Sequence, residues 1–349
     1  MLAEPKEELA INPPRCDDLD YIQFLIAAQK AFTCTEAARS QPKGGGGGGR
    51  GGGDPPAHDS LTRLLTRKPP DTEALWEEAR SLVDKERGVL VMDDTTLDKP
   101  YAHKMGLVTR HWSGKHGRVV RGINLSTLLW SDGDALIPTD FRVYEKPQDG
   151  LSKNEHFRSM VEVAKKRGFE PEYVLFDSWY ASLENLKKTR ARGWKWLCRL
   201  KSNRLVNPDG SGNVAIKEIE IPPEGRVVHL KGYGMVKVFR TVATNGGAEH
   251  WATDDLSMSE ERREELEGWG WGIETYHRGI KQCCGIERAQ VRAAKAQRAH
   301  FGFALRAFLR LEAHRLRTGI SWYEAKTGIV REAIRAYLEL PLYRLPSTA

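Results

Sequence analysis

Gly88–Thr96 reads GVLVMDDTT, a short aliphatic run that opens on a glycine and closes on two adjacent carboxylates. A run of this length and composition, bounded by a glycine, reads as a β-strand. Asp93 and Asp94 then stand at its carboxyl end, the place where open α/β sheets gather ligands. Downstream, 118–130 (RVVRGINLSTLLW) and 135–144 (ALIPTDFRVY) read as strands, with Asp132-Gly133 as the turn between them. A helix is expected over 154–167, ended by Gly168, then a strand over 172–177 (EYVLFD), a helix over 182–191 and a strand over 195–201. Three strands followed by strand–helix alternation predict a mixed sheet flanked by helices. Asp177 closes its strand as Asp93 and Asp94 close theirs, so both strand ends can open onto one crevice. Taken singly, each aspartate equally suits a turn cap.

Upstream of Gly88 the chain is helical. Residues 18–41 read as two short helices around a turn, with Tyr21, Phe24, Leu25 and Ala28 at helical spacing and Thr35 as a start signal for the second. This suits either a helix-turn-helix DNA reader or a small helical bundle. Residues 42–57 hold GGGGGGRGGG between prolines and read as a flexible linker. Short helices follow over 59–70, with Asp59 as N-cap, and after Asp71 or Thr72 as cap.

Residues 202–255 are β-rich and punctuated by Gly, Pro and Asn, and 256–337 are mostly helical, with a long amphipathic stretch over 295–317. The expected organisation is thus 1–41 helical, 42–57 linker, 58–87 helical lead-in, 88–201 first part of the core, 202–255 β-rich insertion and 256–349 C-terminal helical part.

A third carboxylate, Glu274, lies in WGIETYHRGIKQ (271–282). Arg278 is one helical turn on and Lys281 two, since seven residues rotate about 700°. The three should share one face, suiting either a metal ligand beside phosphate-holding cations or a solvated i,i+4 ion pair. Gly268, Gly270 and Gly272 argue against an unbroken helix before Glu274. Trp269 and Trp271 suit core packing or base stacking.

Composition narrows the class. The 349 residues are 40% hydrophobic and 29% charged, with no apolar run of membrane-spanning length and an acidic start lacking a secretory h-region. A cytoplasmic protein is expected, associated with the nucleoid when bound to DNA. None of the five cysteines forms a CxxC pair, so no zinc site is signalled, and Cys283-Cys284 reads as ordinary helix. Net charge is +7, and Thr275–Ala349 holds 14 Lys and Arg against 5 Asp and Glu. That local surplus is the footprint of a polyanion partner or a solvated basic helix face. Clustered carboxylates repel unless a cation or proton intervenes, and hard divalent cations take such oxygen ligands.

The segments VMDDTT, FDSWYAS and IETYHRGIKQ, in that order and spacing, resemble the three acidic motifs of DDE transposases from bacterial insertion sequences. The strand and helix order is similar to the RNase H-like core of those enzymes, and 202–255 matches the β-insertion of one large branch. That branch places Tyr and Arg before its Glu and Lys after it. Glu274 and Lys281 fit, while Glu267 and Gly270 occupy the Tyr and Arg positions.

The resemblance implies an RNase H-like α/β fold in which Asp93 (or Asp94, since both have Thr two residues on), Asp177 and Glu274 hold two Mg²⁺ (or Mn²⁺) ions for phosphoryl transfer. The favoured ligand is Asp93, with Asp94 behind it. The resemblance also implies duplex DNA as partner, both terminal inverted repeats and target, with Lys99, Arg278 and Lys281 on phosphates and a homodimer in the DNA complex. The alternatives are an RNase H-like metal-dependent nuclease without strand transfer, a catalytically decayed DNA-binding protein, and, more remotely, a glycosidase.

Overall fold

The computed structural model describes residues 16–42, 55–68, 72–113, 117–145, 147, 150–242 and 246–343. The glycine tract over 44–53 and Asp71 lie outside them.

Helices α1 (Asp18–Ala27), α2 (Cys34–Arg39), α3 (His58–Arg67) and α4 (Thr72–Ala79) precede the sheet. Thr33, not Thr35, caps α2, accepting from the Glu36 backbone N–H at 3.1 Å. Asp59 falls in the first turn of α3, whose N-cap is Ala57 with no side-chain bond. Tyr21, Ile22 and Leu25 of α1 are buried, and the Tyr21 hydroxyl meets His300 Nδ1 of helix α8 (Ala294–Thr318) at 3.0 Å. These helices pack into the same core as the sheet.

The central strands are β1 (Val89–Asp98), β3 (Arg118–Ser131), β4 (Ile137–Val143), β5 (Tyr173–Phe176) and β6 (Lys195–Leu200). β1 pairs antiparallel with β3, β3 antiparallel with β4, and β5 parallel with both β1 and β6. The order β4-β3-β1-β5-β6, with helices α5 (Lys153–Lys166) and α6 (Leu183–Ala191) in the crossovers, is the RNase H-like mixed α/β sheet expected from the sequence. α5 starts on a capping box between Ser152 and Glu155. Strand β2 (Thr109–Ser113), unforeseen in the sequence, pairs with the first half of β3, while β4 pairs with its second half.

The β-rich segment 202–255 forms β7 (Leu205–Asn207), β8 (Val214–Ala215), β9 (Arg226–Leu230), β10 (Gly234–Val242) and β11 (Ala248–Thr253). β11 pairs antiparallel with β6, so the insertion continues the central sheet instead of standing apart from it.

Helix α7 (Glu260–Gln282) then runs unbroken past its glycines. Tertiary packing overrides their low propensity: a Cβ on Gly272 would sit 2.6 Å from Leu136, and one on Gly279 would sit 2.7 Å from Phe308 and 2.8 Å from Trp322. Small residues are what let the helix sit this close to Leu136, Phe308 and Trp322. α7 ends at Gln282, so Cys283 and Cys284 lie just beyond it, buried and free. Helix α9 (Trp322–Glu339) completes the described chain, and none of the described helices is long and apolar enough to cross a membrane.

The C-terminal positive charge is only partly a surface feature. Arg306 pairs with Asp18 and Glu78, Arg310 with Glu78, Arg298 with Glu145 and Arg315 with Asp134 and Glu312. Much of that charge ties the helices and the sheet together, which a charge count cannot reveal.

Candidate active site

The parallel register of β1 and β5 sets the site. Met92 pairs with Phe176, the last residue of β5, so Asp177 stands just past the end of β5 beside Asp93. Asp93 and Asp94 do not end β1 as expected, because its ladder with β3 carries the strand on to Asp98. Helix α7 packs over this point and presents Glu274. Carboxylate oxygens of Asp93 and Glu274 and a ring nitrogen of His277 all lie within 4.8 Å of one another. Asp177 faces the same cleft, about 620 Å³ in volume, between α7, the strand ends and the tips of β10 and β11.

Strand alternation separates the two neighbouring aspartates. Asp93, opposite Thr127 of β3, faces α7, and Thr127 itself approaches the Tyr276 hydroxyl of that helix. Asp94, opposite Ser126, faces α5. There it accepts from Lys153 Nζ at 2.8 Å, from the Tyr180 hydroxyl at 2.7 Å and from Asn124. Burial alone would raise the Asp94 pKa, but Lys153 and these donors pull it below the ordinary carboxylate value. Its charge is already answered.

Asp93 is the opposite case. Burial first, then the charges of Asp94, Asp177 and Glu274, push its pKa well above the ordinary value. Burial also raises Asp177, offset by the Trp179 and Tyr180 backbone N–H groups and by Arg199. Burial in turn drives His277 down to about 3, so its imidazole is neutral. Seven carboxylates and three guanidiniums line the cleft. Of the guanidiniums, Arg199 is paired with Glu249, and Arg263 with Glu260 and Glu267. Such an acid surplus, with hard oxygen donors converging, fits a divalent cation.

The expected phosphate contacts divide. Arg278 is exposed on the same outer face as Glu274. Lys281 is half-buried and donates to the Thr96 carbonyl at 3.0 Å, bracing α7 on β1. Lys99 is buried and donates to the Glu287 and Ala289 carbonyls at 2.6 and 2.8 Å, so its ammonium holds a turn instead of facing solvent. Trp271 is no core residue: it is 63% exposed and lines the cleft. Trp179, two residues past Asp177, is 57% exposed. Sequence reasoning missed His277 as a member of the cluster, although position i+3 from Glu274 shares its face.

Two strand-borne aspartates facing a helix-borne glutamate across one cleft form a donor set that suits a divalent cation. The family described as DDE superfamily endonuclease matches residues 53–218, a span that takes in both aspartates and stops before α7. Over that span, somewhat under half of its length, the chain is similar to that family, as its motifs are to DDE transposases. No curated protein matches the sequence. Among solved structures, the chain is similar to the piggyBac transposase in its cryo-EM synaptic complex with hairpin DNA. That likeness has 11% identity and TM-score 0.42, over 82% of this chain and 58% of that one. It is also similar to the transposase of a Drosophila P element strand transfer complex, at 10% identity and TM-score 0.23, over 46% of this chain and 40% of that one. The chain therefore spans less than two thirds of either transposase.

Proposed function

We propose that the protein is a DNA transposase of the DDE type, cutting DNA at the ends of an insertion sequence and joining the freed ends to target DNA in the cytoplasm. The observation that carries this reading is the meeting of Asp93, Asp177 and Glu274 at one cleft. Asp93, Asp177 and Glu274 would hold Mg²⁺ (or Mn²⁺), which when bound supplies Lewis-acid activation of a phosphodiester.

The chain's own groups set up the rest. Asp93 must lose its proton to serve as a ligand, and the carboxylates around it make a bound cation the favoured way of doing so. Arg278 and Arg240, both exposed beside the cleft, suit backbone phosphates. Trp271 and Trp179 offer aromatic faces on which displaced bases can stack. Water oxygen attacks phosphorus and the P–O3′ bond breaks, leaving a 5′-phosphate and a 3′-hydroxyl. That hydroxyl then attacks a target phosphodiester, whose own P–O3′ bond breaks. Working on two ends at once calls for at least a dimer.

The deciding assay incubates the full chain with inverted-repeat DNA taken from the flanks of its coding region, with Mg²⁺ and a supercoiled target. Cleaved ends joined to target are expected. Asp177→Ala should abolish both products while retaining DNA binding. Cleavage without joined products would leave a nuclease, and undiminished cleavage by Asp177→Ala would refute the site.

A further inference from the structure

We propose that His277 is a metal ligand of this site, giving it a mixed carboxylate–imidazole donor set. The inference rests on the metal-dependent reading above and deepens it.

Three observations carry it. His277 lies one turn after Glu274 on α7, and helical geometry puts i and i+3 on one face. Its Nδ1 stands 4.0 Å from Asp93 Oδ2, beyond hydrogen-bond reach. Donors held at about 2.1 Å by one octahedral ion are roughly 3.0–4.2 Å apart, so this separation suits a shared cation better than a direct contact. Finally, the ring is 4% exposed, and its Nε2 is buried with no hydrogen-bond partner among the described residues. Buried polar atoms are nearly always partnered. The two ring nitrogens diverge, so the nitrogen that faces the carboxylates is Nδ1; it too makes no hydrogen bond among the described residues, and it is the one open to an occupant. His300 shows the contrast: both its ring nitrogens are engaged, by Tyr21 and by the Gly285 carbonyl.

The donor chemistry has a consequence for metal choice. All-oxygen sites suit Mg²⁺, whereas imidazole nitrogen favours transition ions. One histidine among carboxylates shifts preference from Mg²⁺ toward Mn²⁺ and later first-row ions.

The test is electron spin echo envelope modulation on the full chain loaded with Mn²⁺, alongside Mn²⁺ titration. The wild-type spectrum should carry the ¹⁴N modulation of a directly bound imidazole. His277→Asn should lose it and bind Mn²⁺ at least tenfold more weakly. Among the described residues no other histidine joins the cluster, so the wild-type spectrum decides even where the variant folds poorly. Mn²⁺ bound in an Asp177-dependent manner without ¹⁴N coupling would overturn the histidine ligand and leave the proposed function standing. Coupling that persists in His277→Asn would overturn it equally. Failure to bind Mn²⁺ at all would remove both.

Discussion

Asp94 accepts a hydrogen bond from Lys153 at 2.8 Å on one face of β1, while its neighbour Asp93 points to the other face, toward Glu274 and His277. Two adjacent acids thus do unlike jobs, and substitution should tell them apart. Asp94→Ala strands a largely buried ammonium and removes the acceptor of Tyr180 and Asn124. Stability should fall by roughly 2–4 kcal/mol. The Asp94→Ala, Lys153→Ala double variant should lose less than the two single losses combined. Urea denaturation of the four proteins measures this directly, and additive losses would mean that the pair is not coupled.

Asp93→Asn should do the reverse to stability while destroying activity. The raised pKa of Asp93 means that the folded protein prefers it protonated. Its favourable contribution is complete below the ordinary carboxylate pKa of about 4 and disappears as pH rises through the higher folded value. Asparagine is neutral throughout. In EDTA the variant should match the wild type near pH 4 and melt at higher temperature by pH 7.5, each kcal/mol being worth roughly 2–4 °C. Saturating Mg²⁺ should reverse the order by stabilising only the wild type. Calorimetry at the two pH values, with and without metal, checks the four cases.

The glycines of α7 should also divide. Gly268 is exposed, and a Cβ there meets nothing within 4 Å. Gly268→Ala should therefore stabilise the helix by about 0.5–1 kcal/mol. Gly279→Ala drives a methyl into the rings of Phe308 and Trp322, which cannot swing aside as a side-chain tip can. Overpacking of that kind costs about 1–3 kcal/mol. Thermal melts of the two variants should move in opposite directions.

These glycines show where sequence reading stops. Propensity is local, so three glycines argue for a break, while what makes one of them, Gly272, fit is Leu136, far away in the chain. The strand order of the core was legible because aliphatic runs, Gly and Asp-Gly turns and helical spacing are all short-range patterns. Asp93 and Asp94 share the same spacing to a threonine. Alternation places them on opposite faces, but only the docked position of α7 says which face is the site. Lys99 failed as a phosphate contact for a similar reason, since the carbonyls of Glu287 and Ala289 that bury its ammonium come from a distant turn. The C-terminal basic surplus likewise looked free until its partners Asp18, Glu78 and Glu145 were seen opposite it.

The joint between α1 and α8 should make stability fall in mild acid. His300 is buried, and burial together with the charge of Lys99 lowers its pKa to about 4. With Tyr21 donating to Nδ1 and Nε2 donating to the Gly285 carbonyl, the ring is the neutral tautomer. The unfolded chain takes up a proton near pH 6.5, whereas the folded chain resists until about pH 4. The unfolded state therefore binds more protons across that window, and stability falls as pH drops through it. The contribution at neutral pH is on the order of 3 kcal/mol, from about 2.5 pH units at 1.36 kcal/mol each. His300→Phe keeps an aromatic ring but cannot titrate, so the slope of unfolding free energy between pH 6.5 and 4 should flatten. At neutral pH the variant should be less stable, because Tyr21 and Gly285 lose their partner. An unchanged pH slope in the variant would show that other groups drive the acid transition.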